Sequence, residues 1–94
     1  MRRVRWAFRA RRDFIQITDY YVARATHYPD ELLARIDELA LRLAEKPGLG
    51  PPEPNTPYHK ILVRGTSYIL LYKLTRRELV IARVVHAKKD WRPR

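Results

Sequence analysis

From Glu78 to Trp91 the chain reads Glu-Leu-Val-Ile-Ala-Arg-Val-Val-His-Ala-Lys-Lys-Asp-Trp. Its first part is almost continuously apolar and rich in β-branched residues, the composition of a buried central strand. A central strand needs a partner on each edge, so the rest of the chain must supply a sheet around it. One cation, Arg83, interrupts the run. Beyond it come His86, Lys88, Lys89 and Trp91, a base, cations and an aromatic gathered at one strand end. Scaffold alone gives no reason for that combination.

The remaining periodicities supply the partners. Val4, Trp6 and Phe8 alternate with Arg3, Arg5 and Arg9, the period of a strand with one buried face, which places Trp6 and Phe8 in the core. From Ala10 the period lengthens. Ala10, Phe14, Ile17 and Tyr21 recur at helical spacing and predict a helix to about Arg24, with a poor N-cap and a soft start. Tyr28-Pro29 breaks the chain, and Pro29, Asp30 and Glu31 suit the first turn of a second helix. Its apolar stripe runs Leu32, Leu33, Ile36, Leu39, Ala40 and Leu43, and Pro47-Gly48 should end it by Lys46. A proline-rich loop from Gly48 to Pro57 then leads to strands at Tyr58 to Arg64, Tyr68 to Leu74 and Leu79 to Val85 or His86. Short turns between them imply hairpins. The expected fold is α+β: an N-terminal strand and a two-helix hairpin on one face of an antiparallel sheet, completed by three C-terminal strands.

The composition narrows what such a domain can do. With 46% hydrophobic and 32% charged residues the chain should fold, and 94 residues make one small domain over 1–94. It has no cysteine, so stability must come from packing, as suits a reducing cytoplasm. The cations of the opening Met-Arg-Arg-Val-Arg-Trp precede no apolar signal region, and no apolar run reaches spanning length; a cytoplasmic protein is expected. Twenty Lys and Arg against ten Asp and Glu give a formal charge of +10, a field that attracts polyanions. The excess is concentrated before Asp13 and after Asn55, whereas Asp30 to Lys46 is mildly acidic. Plain solubility is the alternative account of that charge.

Strand alternation indicates where the charge points. Lys60 and Arg64 share one side of their strand, Lys73 lies on the Ile69 and Leu71 side, and Arg83 shares a side with Leu79, Ile81 and Val85. Unpaired cations are costly beneath helices, so the side carrying Lys60, Arg64, Lys73 and Arg83 should be the uncovered one. Continued through His86, Lys88, Lys89 and Trp91, it forms the expected target-binding surface.

Other chemistries fit less well. His27, His59 and His86 are scattered and lack cysteine neighbours, so neither metal nor cofactor is expected. Gly48-Leu49-Gly50 runs into prolines and opens no helix, and the lone Ser67 has no local base. His86 reads either as a structural strand-end histidine or as a general acid beside Arg64 and Arg83, suited to RNA cleavage. In the second case Lys60 would have to act as base with a lowered pKa.

The whole chain resembles the RelE/ParE superfamily of bacterial toxin–antitoxin toxins, and more closely the ParE branch. The likeness runs through Val4-Arg-Trp6, Arg12-Asp-Phe-Ile-Gln-Ile-Thr-Asp-Tyr-Tyr21, Leu43-Ala-Glu-Lys-Pro-Gly-Leu-Gly50, Tyr68-Ile-Leu-Leu-Tyr72, Val80-Ile-Ala-Arg-Val-Val-His86 and Asp90-Trp91. The resemblance implies a helical hairpin on an antiparallel sheet. It also implies a growth-arresting toxin, stabilising a plasmid or chromosome and neutralised in a hetero-oligomer by an acidic ParD- or RelB-like antitoxin. ParE-like members poison DNA gyrase; RelE-like members cut mRNA on the ribosome with basic residues and a C-terminal histidine or tyrosine. Arg83 and His86 match superfamily positions and Arg64 lies near the RelE-like basic cluster. No tyrosine follows Tyr72, and His59 stands where ParE members often carry arginine. The favoured expectation is a non-enzymatic gyrase inhibitor. The alternative is an endoribonuclease using Lys60, Arg64, Arg83 and His86, and a third class is a plain nucleic-acid-binding module with salt-steep affinity.

Overall fold

The computed structural model describes residues 1–88. Lys89 and Trp91 of the expected contact surface lie outside the described residues. In chain order the elements are β1 (Arg3–Trp6), α1 (Phe8–Val22), α2 (Tyr28–Glu45), a 3-10 turn (Pro47–Leu49), β2 (His59–Leu62), β3 (Tyr68–Leu74) and β4 (Glu78–His86). The sheet order is β1-β4-β3-β2, which puts the most apolar strand inside as its composition demands. β2, β3 and β4 pair antiparallel, and β1 joins β4 in parallel from Arg3 opposite Glu78 to Trp6 opposite Ile81, so the four-stranded sheet is mixed.

Both helices lie where their stripes require. Leu32, Ile36, Ala40 and Leu43 of α2 and Ala10 of α1 are buried against Leu70, Tyr72, Leu79 and Ile81. Each large apolar side chain so buried contributes about 1.5–3 kcal/mol. Leu33, expected in the stripe, is 37% exposed at its margin. Phe8 is also corrected, being 80% exposed. The last ladder bond of this strand runs from the Ala7 N–H to the Ile81 carbonyl, and the chain then turns into α1. Phe8 therefore takes helical phase, on a stripe with exposed Ile15 and Val22, while Trp6 packs edge-on against Phe14 at 5.9 Å. The soft start of α1 is explained by Ala7, which offers no capping side chain.

The largest departure from simple alternation is a bulge. Leu71 pairs with Arg83 but Tyr72 with Ile81, leaving Ala82 as the extra residue of β4. The face assignment reverses there. Leu79, Ile81 and Val84 join the core beneath the helices, while Val80, Arg83 and Val85 take the other side. A constant period of two had placed Leu79 and Ile81 with Arg83, and Val84 opposite.

The proline-rich loop is pinned to the outer edge of β2. The Lys60 N–H donates to the Pro51 carbonyl and the Glu53 N–H to the Tyr58 carbonyl. Tyr72 secures the start of the same loop: its hydroxyl donates to the Pro47 carbonyl at 2.7 Å and accepts the Gly50 N–H at 2.9 Å. Gly50 is required by proximity, since a Cβ there would lie 2.6 Å from that hydroxyl.

Candidate functional site

Across the face opposite α2 the register sets the cations in rows. Lys60 pairs with Leu71, and Leu71 with Arg83; Lys73 pairs with Val80 one row away. The apolar residues between them, Leu71, Val80 and Val85, are nearly inaccessible, so this face is a groove rather than a bare sheet. The groove encloses about 930 Å³ between β3 and β4 on one side and α1 on the other, with Tyr58 of the loop at its margin. Lys73, Arg83 and His86 line it; Lys60 and Arg64 do not.

α1 forms a wall because β1 stops at Trp6 and leaves the second half of β4 without a strand on that edge. Asp13 fills the vacancy. Its carboxylate takes Nε and Nη2 of Arg83 at 2.8 and 3.1 Å and the Val84 N–H at 3.0 Å. A charge-assisted, two-point pair of this kind holds a guanidinium in one orientation. Arg83 is partly exposed but already neutralised. Lys60 likewise meets the buried carboxylate of Glu53 at 3.1 Å. Lys73 is exposed and forms no ion pair among the described residues. Arg64 has left the sheet. It sits exposed in the β2–β3 turn, where Gly65 takes a φ of +79° and the Arg64 carbonyl accepts Nη1 of Arg35.

Part of the groove lining is aromatic, with Tyr21 and Tyr68 in contact with Tyr28 behind it. Tyr21, Tyr28 and Tyr68 form a chain of rings, 4.7 and 6.4 Å apart, and His86 meets Tyr68 edge-on at 5.3 Å. Burial pushes the Tyr68 hydroxyl well above the ordinary tyrosine value, helped by its hydrogen bond with Tyr21. Burial raises Tyr28 as well. His86 Nδ1 accepts the Lys88 N–H at 3.2 Å, which leaves the proton of the neutral ring on Nε2. Lys88 itself is exposed. Among the described residues no three His, Asp or Glu side chains gather as metal ligands would.

Sequence reasoning missed Asp13, Arg9, Tyr20, Tyr21, Tyr58 and Tyr68 as groove residues. Asp13 did carry a signal, as the one acid inside the arginine-rich opening that continues through Arg12. The tyrosines, six in 94 residues, were assigned to packing where they were considered at all.

Comparison with known proteins adds the following. A family model described as "ParE toxin of type II toxin-antitoxin system, parDE" matches residues 4–91. A protein of Sinorhizobium fredii (strain NBRC 101917 / NGR234), named "Putative toxin Y4kP", is 29% identical over 90 residues, 96% of this chain and 93% of its own length. Two solved structures share the fold. One is the "Chromosomal ParDE TA system from P. aeruginosa", with a TM-score of 0.66 and 18% identity over 92% of this chain and 96% of that one. The other is the E. coli DinJ-YafQ complex, with a TM-score of 0.53 and 18% identity over 92% and 93%. At that identity the two structures bear on architecture alone.

Proposed function

The chain belongs to the ParE toxin family of type II toxin–antitoxin systems, and on that premise we propose that it arrests growth by binding DNA gyrase without chemistry of its own. The whole chain acts as one toxin domain in the cytoplasm, and the groove face is its contact surface. Lys73, Arg83 and His86 present it, with Lys60 at its flank and Arg64 and Lys88 beyond; Lys89 and Trp91 belong to the same expected contact set but lie outside the described residues.

One observation favours binding over catalysis: the basic side chains that an RNase would use are committed to partners. Arg83 is held by Asp13 and Lys60 by Glu53. Asp13 already takes two of the five Arg83 N–H donors and offsets its charge, which leaves less of both for a phosphate. Purified protein should inhibit gyrase supercoiling of relaxed plasmid, and unchanged supercoiling at a large molar excess of toxin rejects the assignment.

A second reading rests on His86 and Arg83 lining one groove. In that case the protein is a ribosome-dependent mRNA endoribonuclease using Lys60, Arg64, Arg83 and His86. Induction followed by mapping of mRNA ends separates the two. Intact messages with continuing translation exclude the nuclease.

In either case the neutralising partner is an antitoxin with an acidic, partly disordered segment that folds on this basic surface and makes a hetero-oligomer. Mixing toxin with a short acidic protein from the adjacent reading frame should restore supercoiling.

A further inference from the structure

A second concentration of positive charge lies outside the groove, at the opposite end of β4. There Arg2, Arg3, Arg76 and Arg77 line a broad cleft of about 1160 Å³ between the start of β1, the β3–β4 turn and the end of α2. One backbone and one side-chain hydrogen bond hold these residues side by side: the Arg3 N–H donates to the Arg77 carbonyl at 2.9 Å, and the Arg2 side chain donates through Nε to the Thr75 carbonyl at 2.9 Å. Two carboxylates share the cleft, Glu45 and Glu78. Glu78 is taken by Arg5 at 3.1 Å. None of the four arginines forms an ion pair among the described residues. Four guanidiniums thus face one uncommitted acid.

We propose that this arginine cleft is a second binding site, for the phosphate backbone of duplex DNA, independent of the growth target. Guanidinium forks match phosphate oxygens, and neutralising several of them releases condensed counterions. The rest of the lining decides among polyanions. It contains no aromatic residue, so the unstacked bases of a single strand find no platform there. Its apolar lining is Met1, Ala44 and Pro47, without the aromatic anchor that gives many protein partners their affinity. A duplex, with its bases sequestered and its charge in two regular rails, asks only for cations. Binding should therefore be independent of sequence.

The test measures binding of the purified full-length chain to a fluorescent 20-base-pair duplex of arbitrary sequence by anisotropy, over a range of salt. The log–log salt slope should fall by about 2 in Arg76→Ala/Arg77→Ala, with affinity at least tenfold weaker. Both residues are exposed at a turn, and an unchanged urea midpoint confirms that the variant is folded. Lys73→Ala in the groove should leave slope and affinity unchanged. Four outcomes overturn the proposal: no duplex binding by the parent chain, an unaltered slope in the double variant, tighter binding to the single strand, or equal competition by polyglutamate. Because the readout is neither supercoiling nor mRNA cleavage, failure of either target assignment leaves it standing.

Discussion

Asp13 and Arg83, seventy positions apart, meet through two hydrogen bonds of 2.8 and 3.1 Å, and the same carboxylate caps the Val84 N–H. The pair fastens α1 to β4 immediately beyond the bulge at Ala82. It also determines how much of the groove's positive charge a target can use.

Removing one partner should therefore destabilise more than removing both. With side-chain exposures of 12% and 22%, Asp13→Asn leaves a half-buried guanidinium and a weaker acceptor for Val84, costing about 1–3 kcal/mol. Arg83→Met alone leaves the carboxylate with one partner. A double-mutant cycle by urea denaturation should give a coupling of about 1 kcal/mol or more. Strict additivity of the two changes is the contrary result.

A similar cycle applies to Tyr72 and Gly50. Tyr72→Phe strands the Gly50 N–H and the Pro47 carbonyl, a loss of about 1–3 kcal/mol. Gly50→Ala forces a methyl to within 2.6 Å of the tyrosine hydroxyl, and overpacking of that kind costs about 1–3 kcal/mol. In the Tyr72→Phe background part of the clash is gone, so the alanine penalty should shrink. Equal penalties in both backgrounds would contradict the packing seen here.

The architecture was legible because its signals are local. β4 announces itself by composition, α2 by its stripe and stops, and the hairpins by short turns. The side-chain facing of β4 was not legible, since one inserted residue, Ala82, reverses the phase and nothing in Ile-Ala-Arg marks where. Phe8 failed for a related reason: a strand and a helix meet at Ala7, and the period-two phase was carried one residue too far. In the site, the cations were visible but their partners were not. Asp13 and Glu53 reach Arg83 and Lys60 only through tertiary contact, and so the cations were counted as free.

The end of α1 offers a stabilising change. Ala25 sits at a φ of 53°, and the Thr26 N–H returns to the Tyr21 carbonyl in a helix-terminating turn. Glycine suits this left-handed position, which disfavours a Cβ by about 1 kcal/mol. Ala25→Gly should therefore raise stability by about 0.5–1 kcal/mol, read as a higher urea midpoint with an unchanged slope. A lower midpoint would show that unfolded-chain entropy outweighs the relief.

Alkaline stability should follow the buried tyrosines. Tyr28, Tyr68 and Tyr72 are all raised above the ordinary tyrosine value of about 10, in each case first by burial. A folded-state value above the unfolded one means that the native protein holds its protons longer. The contribution is fully present below the unfolded value and is lost as pH rises beyond it, so the urea midpoint should decline progressively above about pH 10. Tyr68→Phe should lower the midpoint at pH 8, where the bond with Tyr21 is missing, yet make the alkaline decline shallower. An unchanged decline would remove Tyr68 as its source.

Lys73 gives the clearest test of the groove as the toxin's contact surface. Its neighbours Arg83 and Lys60 are held by Asp13 and Glu53, whereas Lys73 projects from near the end of β3 with its head exposed. Its stem lies beside buried Leu71 and Val80, which stay covered when the charge alone is changed. Reversal of a contact charge places like charges together and weakens association far more than it affects folding. Lys73→Glu should then raise the toxin concentration for half-inhibition of supercoiling about tenfold or more, with the urea midpoint close to that of the parent. Lys46→Glu, at the end of α2 and outside the groove lining, is the matched charge change and should leave inhibition intact. Equal loss in both variants would mean that net charge, rather than this groove, governs the encounter.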